Sequence, residues 1–242
     1  MPHVNYLSQR IDLYESDFSH DKSLKFSRTL EFMQNLATEH VEQMGCGWDF
    51  LNEHDMLWVL SKTKMRFYKK ITKKTGSIVL TTWPLAPNKV FCERLFEARS
   101  ASGELLFSAV TIWIVINKTT RKILPTAKVE RYVNASFDDC RSELDDKFDK
   151  VVYSQDFEPK YTFLAMQSHL DVNKHVNNTH YVTFAQDAYP CQSFNYAEIV
   201  YSKELKLDDK VTVCGKQGER GEVLVVGVRD GEQCFSVKLT NL

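Results

Sequence analysis

The stretch Ser168–Tyr181, SHLDVNKHVNNTHY, concentrates side chains that can do chemistry. Asp171, Asn173 and His175 alternate along it. On an extended backbone all three point to one side. A carboxylate, an amide and an imidazole so placed can accept a proton, donate a hydrogen bond and position a water. From Asn177 the sequence reads as the start of a short helix, Asn177–Ala188, whose free N–H groups and positive dipole end can hold an oxyanion. Turn formation and capping are the competing roles for these residue types, and for Asn177 and Asn178 capping carries equal weight. His169, His175 and His180 are six and five residues apart, which does not set them on one helical face, so they do not read as a metal site. The six cysteines form no CxxC pair and no zinc-ligand spacing. They read as reduced, mostly buried thiols of a cytosolic protein. Cys191 is the cysteine nearest in sequence to His175, but a predicted helix lies between them.

Elements on either side must position that stretch. Val4–Tyr14 reads as extended. Apolar residues at Phe26, Leu30, Met33, Ala37, Val41 and Met44 follow steps of four and three, one face of an amphipathic helix over 23–44. Asp21 or Ser23 offers its N-cap, and Gly45 and Gly47 its stop. Strands follow at Trp58–Tyr68, Ser77–Trp83, Val90–Arg99 and Leu105–Ile116. In the first, Val59, Ser61, Thr63, Met65 and Phe67 share one face and Lys62, Lys64 and Arg66 the other. Residues 126–156 are acidic and read as a connection, with room for a short helix. An extended segment, Phe157–Met166, precedes the short helix. Strands then recur at Asn195–Lys203, Lys210–Gly215, Glu222–Arg229 and Gln233–Leu239, with Asp230-Gly231 as a hairpin signal. Phe67-Tyr68-Lys69-Lys70-Ile71 is faintly similar to Tyr201-Ser202-Lys203-Glu204-Leu205. The reading is therefore α+β and duplicated: a first unit over 1–125, the connection over 126–156, and a second unit over 157–242.

The 242 residues suffice for a substantial core, and a net charge of −1 gives no global field toward nucleic acid or membrane. No apolar run reaches the roughly 20 residues of a membrane helix. The N-terminus has no signal-peptide pattern.

Asp171-Val172-Asn173-Lys174-His175-Val176-Asn177-Asn178-Thr179-His180-Tyr181 is similar to the DxNxHVNNxxY signature of acyl-acyl carrier protein (acyl-ACP) thioesterases, the plant plastid enzymes and their bacterial relatives. Two weaker matches stand in the expected order. One is Trp58-Val59-Leu60-Ser61-Lys62 followed by Thr81-Thr82-Trp83-Pro84. The other is Tyr201-Ser202-Lys203-Glu204. The resemblance covers about residues 4–240 and favours the bacterial type. It implies a double hotdog, two tandem units of a helix on an antiparallel sheet, and it implies Asp171, Asn173, His175 and Glu204 as catalytic groups. Plant members often carry a cysteine after that glutamate; here Leu205 stands there and cannot attack.

These residues lead to an expectation of direct hydrolysis without a cofactor or metal. Glu204 or Asp171 activates a water, Asn173 and helix amides at Asn177 or Asn178 hold the thioester oxygen, and His175 orients the network. Lys70 occupies the place of Glu204 in the first unit, so one site per chain is expected. Trp58, Met65 and Trp83, with Met33, Leu36 and Val59, are candidates for an acyl tunnel, with plain core the favoured reading for most of them. Eight basic residues and no acidic one fall between Met56 and Cys92. Lys69 and Lys70 belong to this run, which is either a solvated strand face or a docking surface for acidic acyl carrier protein. No nucleic-acid or membrane partner is expected, and monomer and homodimer are both open. Acyl-CoA hydrolysis, a hotdog hydratase or dehydratase, and a non-catalytic acyl-binding regulator are the rival functions.

Overall fold

The computed structural model describes residues 5–129, 144–190, 192–219 and 221–241. Two compact units form, Met1–Ser61 with Arg66–Asp146 and Lys62–Met65 with Lys147–Leu242.

In the first unit, β1 (Leu7–Asp12) leads to α1 (Phe26–Gln43) and a short α2 (Trp48–Glu53). Four long strands follow: β2 (Met56–Phe67), β3 (Ser77–Pro84), β4 (Cys92–Arg99) and β5 (Leu105–Asn117). A two-residue strand, β6 (Ile123–Leu124), pairs with the end of β5. The order across the sheet is β1-β3-β4-β5-β2. The pairs β1–β3, β3–β4 and β4–β5 are antiparallel. Leu105–Asn117 is buried along most of its length, as a strand apolar on both faces requires. The helix α1 lies over β3 and β1 and buries Phe26, Leu30, Met33, Leu36 and Ala37, the stripe set by its 3.6-residue period. It starts three residues later than the sequence suggests, because Ser23 is held in the preceding turn by Asp21. His40 continues the buried stripe, and Arg94 Nη1 approaches its Nδ1 at 2.9 Å and donates to Thr82 Oγ1 at 3.1 Å.

The second unit repeats the plan. After β7 (Glu158–Leu164) comes α3 (His180–Asp187), then β8 (Tyr196–Tyr201), β9 (Lys210–Gln217), β10 (Val223–Arg229) and β11 (Glu232–Thr240). The order is β8-β11-β10-β9-β7, the same as the first unit read from the other end. The short helix α3 packs on β11 and β8. The duplication, faint as a sequence repeat, is complete as topology.

One side chain, Lys64, departs from the alternation expected in β2. Thr63, Lys64 and Met65 are buried in succession, so both faces are covered there. Lys64 therefore does not belong to a solvated basic face. It lies 3.5 Å from the equally buried Glu198 and donates to the Lys147 carbonyl.

Gly227 on β10 faces Phe235 on β11, and a Cβ at residue 227 falls 1.9 Å from the Phe235 ring. That ring is fully buried and meets Tyr181 edge-on at 5.0 Å. Gly227→Ala is expected to cost about 1–3 kcal/mol by overpacking. Urea unfolding should show a lower midpoint at unchanged slope, and an unshifted midpoint would mean that the ring has room to yield.

Candidate active site

The polar stretch does not run extended, as the one-sided reading of Asp171, Asn173 and His175 requires. It closes a tight turn. Leu170 and Val176 form an antiparallel bridge. The Asp171 N–H donates to the His175 carbonyl at 2.8 Å, and Lys174 adopts φ 63°. Asp171 Oδ1 accepts the N–H groups of Asn173 and His175 at 2.8 and 3.2 Å. One oxygen of the carboxylate thus organises the turn, as Asx side chains do. The Asn173 side chain is exposed at its tip.

Glu204 reaches His175 from the end of β8. The N–H groups of Ser202 and Lys203 both donate to the Cys234 carbonyl, just past the last β8–β11 pair, Tyr201 with Phe235. Leu205 is fully buried, and its carbonyl accepts the Val176 N–H at 2.8 Å. Arg229, paired with Asp209, donates to the Glu204 carbonyl at 3.3 Å. Held from both sides, Glu204 Oε2 lies 3.3 Å from His175 Nε2, with both side chains partly exposed. Tyr181 lies buried below; burial pushes its phenol well above the usual range, and a backbone hydrogen bond with Leu205 works the other way. Arg229 and Asp209 were not legible as site residues, because nothing in their spacing ties them to residue 204.

Helix amides divide between the two roles. The Asn177 N–H donates to the His169 carbonyl, Asn177 Oδ1 accepts the Thr179 N–H at 3.0 Å, and the Asn177 carbonyl accepts the His180 N–H. Asn177 therefore forms a turn ahead of the helix, whose N-cap is Thr179, and its amide is already in use. The Asn178 carbonyl accepts the Tyr201 hydroxyl at 3.3 Å, while its N–H makes no hydrogen bond among the described residues. The helix itself runs from His180, three residues past the expected start. The rings of His169 and His180 stand 5.2 Å apart among Phe163 and Phe184, and His169 Nδ1 accepts the Met166 N–H.

The first unit carries the same turn with other side chains. Phe18 bridges Leu24, the Ser19 N–H donates to the Ser23 carbonyl, and Lys22 has φ 66°. Tyr68 and Lys69 both donate to the Leu106 carbonyl, and Leu24 donates to the Ile71 carbonyl, as their counterparts do in the second unit. Ser19, Asp21, Ser23 and Lys70 thus stand where Asp171, Asn173, His175 and Glu204 stand. Burial works to raise the Asp21 carboxyl, but hydrogen bonds from Ser19 and Ser23 and the nearby Lys70 outweigh it and hold the carboxyl far below its ordinary value.

The lysines of the first-unit run meet acids from other elements. Lys69 lies 3.2 Å from Glu104, Lys70 3.6 Å from Asp21 and Lys73 2.5 Å from Glu15. Met65 and Trp83 are buried, and the half-buried Trp58 donates its indole N–H to the Cys46 carbonyl beside a cluster of Leu51, Met56 and Cys92. Cys46, Cys92, Cys214 and Cys234 are buried as reduced thiols. Burial pushes the Cys92 thiol up to about 12 and also raises Cys214 and Cys234, which disfavours the nucleophilic thiolate. Cys140 and Cys191 lie outside the described residues, as do residues 130–143 of the acidic connection.

Two family models match the chain. The acyl-ACP thioesterase N-terminal domain covers residues 5–131 and the C-terminal domain covers 151–235. A chloroplastic palmitoyl-acyl carrier protein thioesterase of Arabidopsis thaliana is 26% identical over 75% of this chain and 47% of its own length. A chloroplastic acyl-acyl carrier protein hydrolase of Cuphea viscosissima is 22% identical over 79% of this chain and 49% of its own. The chain spans about half the length of these curated relatives. Among solved structures, an acyl-ACP thioesterase from Bacteroides thetaiotaomicron superposes with a TM-score of 0.86 at 21% identity, covering 98% of this chain and 97% of that one. The 12:0-ACP thioesterase from Umbellularia californica gives 0.84 at 18% identity, covering 98% and 97%. The fold is the α+β double hotdog. No helix among the described residues is long and apolar enough to cross a membrane.

Proposed function

Since the chain belongs to the acyl-ACP thioesterase family, we propose that it hydrolyses fatty acyl thioesters of acyl carrier protein, releasing free fatty acid and the carrier thiol. The observation that carries this reading is the contact of His175 Nε2 with Glu204 Oε2 at 3.3 Å. Glu204 takes a proton from a water whose oxygen attacks the thioester carbonyl carbon. The resulting oxyanion is held by the Asn173 carboxamide and the Asn178 N–H. The C–S bond then breaks, His175 protonates the leaving thiolate, and the proton on Glu204 returns to His175 across their contact. Asp171 acts as a positioning residue rather than as the base, because its Oδ1 is committed to two backbone N–H groups.

Other parts of the reading follow from the same residues. Lys70 in place of Glu204, and Ser23 in place of His175, support a single site per chain in the second unit. The division into a first unit to residue 125, a connection over 126–156 and a second unit from 157 belongs to it as well. The four cysteines buried as reduced thiols support a reducing, cytoplasmic setting.

Thiol release from a panel of acyl carrier protein thioesters, of about C8 to C18 by our choice of design, tests the proposal. Turnover on at least one of them that exceeds turnover on the matching acyl-CoA is the expected result. Preference for acyl-CoA would move the natural carrier, and an enoyl thioester converted to a hydroxyacyl thioester without thiol release would move the reaction class.

A further inference from the structure

The catalytic turn is ringed by side chains that neither hydrolysis nor packing uses. Val172 is 90% exposed at the tip of the turn, and Leu164, Met166 and Leu207 are 49%, 53% and 49% exposed. Lys174, Lys206 and Lys210 are exposed too, and no acid among the described residues lies within 4.0 Å of their ammonium groups. Asp208 is the exposed acid of this region. Backbone bonds tie these residues into one surface. His175 bridges Lys206, Leu164 pairs with Lys210, the Ala165 N–H donates to the Asp209 carbonyl, and the Asp208 N–H donates to the Ala165 carbonyl. Large apolar side chains exposed together beside unpaired cations mark an interaction surface.

The first-unit lysines are a poorer candidate. Lys64 is buried, and Lys69, Lys70 and Lys73 already face Glu104, Asp21 and Glu15. We propose that the collar formed by Leu164, Met166, Val172 and Leu207 with Lys174, Lys206 and Lys210 is the docking surface for an acidic acyl carrier protein. The proposal rests on the functional reading above and adds where the carrier sits. Charge complementarity selects this occupant: three unpaired lysines attract an acidic surface, and the apolar side chains between them bury against it. The collar residues also interleave with the site. Val172 and Lys174 flank Asn173, and Lys206 follows Glu204 by two residues. A carrier seated there presents its thioester arm directly to His175 and Glu204.

The test compares one acyl chain on two thiols, an acidic carrier protein and the small uncharged N-acetylcysteamine. In Lys174→Glu with Lys206→Glu, kcat/KM on the carrier substrate is expected to fall at least about tenfold and its salt dependence to flatten, with N-acetylcysteamine turnover within about twofold of wild type. Lys22→Glu alters the equivalent turn position of the first unit and should change neither substrate. Lys174→Gln with Lys206→Gln repeats the test without introducing new acids and should give a smaller loss of the same kind. Unchanged carrier kinetics in both double variants would overturn the proposal, and so would equal losses on both thiols, since the lysines would then serve the chemistry. Titration of the carrier by wild-type protein and the variants separates the two ideas. Carrier binding that is lost in the variants, without any turnover by wild type, keeps the docking surface and removes the hydrolysis. Anionic vesicles bound in preference to the carrier would remove the docking surface.

Discussion

Replacing Glu204 with glutamine, or His175 with alanine, is expected to lower thioester turnover at least about a hundredfold. Glutamine keeps the shape of residue 204 and can still hydrogen-bond to the imidazole, but it cannot accept a proton from water. The loss should therefore fall on kcat rather than KM. Both side chains are partly exposed, and the backbone around residue 204 is fixed by Leu205, Cys234 and Arg229 rather than by the carboxylate. Circular dichroism and the unfolding midpoint should stay close to wild type, which distinguishes lost chemistry from lost fold. If the two groups act as a unit, the double variant should be little slower than either single one. Near-normal turnover in both single variants would remove the assignment. Normal turnover in Glu204→Gln together with inactive Asp171→Asn would transfer the base to Asp171.

Lys64→Met is expected to destabilise the protein by about 3–5 kcal/mol, because it leaves Glu198 buried without its counter-charge. Glu198 keeps the Tyr196 hydroxyl and the Asp149 N–H as donors, but neither carries a charge. The Lys147 carbonyl also loses its ammonium donor, and Phe148 loses a cation 5.0 Å from its ring. Combining Lys64→Met with Glu198→Leu removes both charges and should recover most of the loss, since an apolar pair often matches a buried ion pair. Urea unfolding of the two single variants and the double variant measures this as a coupling energy. A double variant as unstable as the sum of the single ones would show that the pair does not act as a unit.

The sequence carried the long elements well and the local geometry unevenly. The α1 stripe and the strands were readable because their apolar periods repeat over many residues. The helix Trp48–Glu53 was not, since six residues hold less than two turns and show no period. The extended reading of Asp171–His175 failed for a different reason. Alternating polar residues fit an extended strand and an Asx turn alike, and the deciding feature is Lys174 at positive φ, a conformation its residue type does not announce. The ion pairs of the basic run between Met56 and Cys92 were not legible because its acids, Glu15, Asp21, Glu104 and Glu198, come from distant parts of the chain. Asp171, Asn173 and His175 stood out by residue type and spacing, and Glu204 joined them through the resemblance. The contact of His175 with Glu204 and the turn-forming part of Asp171 show only in the fold.

The paired turns at 18–24 and 170–176 have opposite polarity. In the first, the acid Asp21 sits on the turn and the cation Lys70 on the strand end; in the second, the imidazole sits on the turn and the acid on the strand end. One backbone scaffold thus hosts a Lys70–Asp21 ion pair in one unit and the His175–Glu204 contact in the other. After a duplication, one copy can drift to the ion pair while the other retains reactivity, because the main-chain bonds that hold the loop shut are the same in both. On the proposed mechanism, catalysis and structural bracing are then alternative fillings of a single reusable cassette.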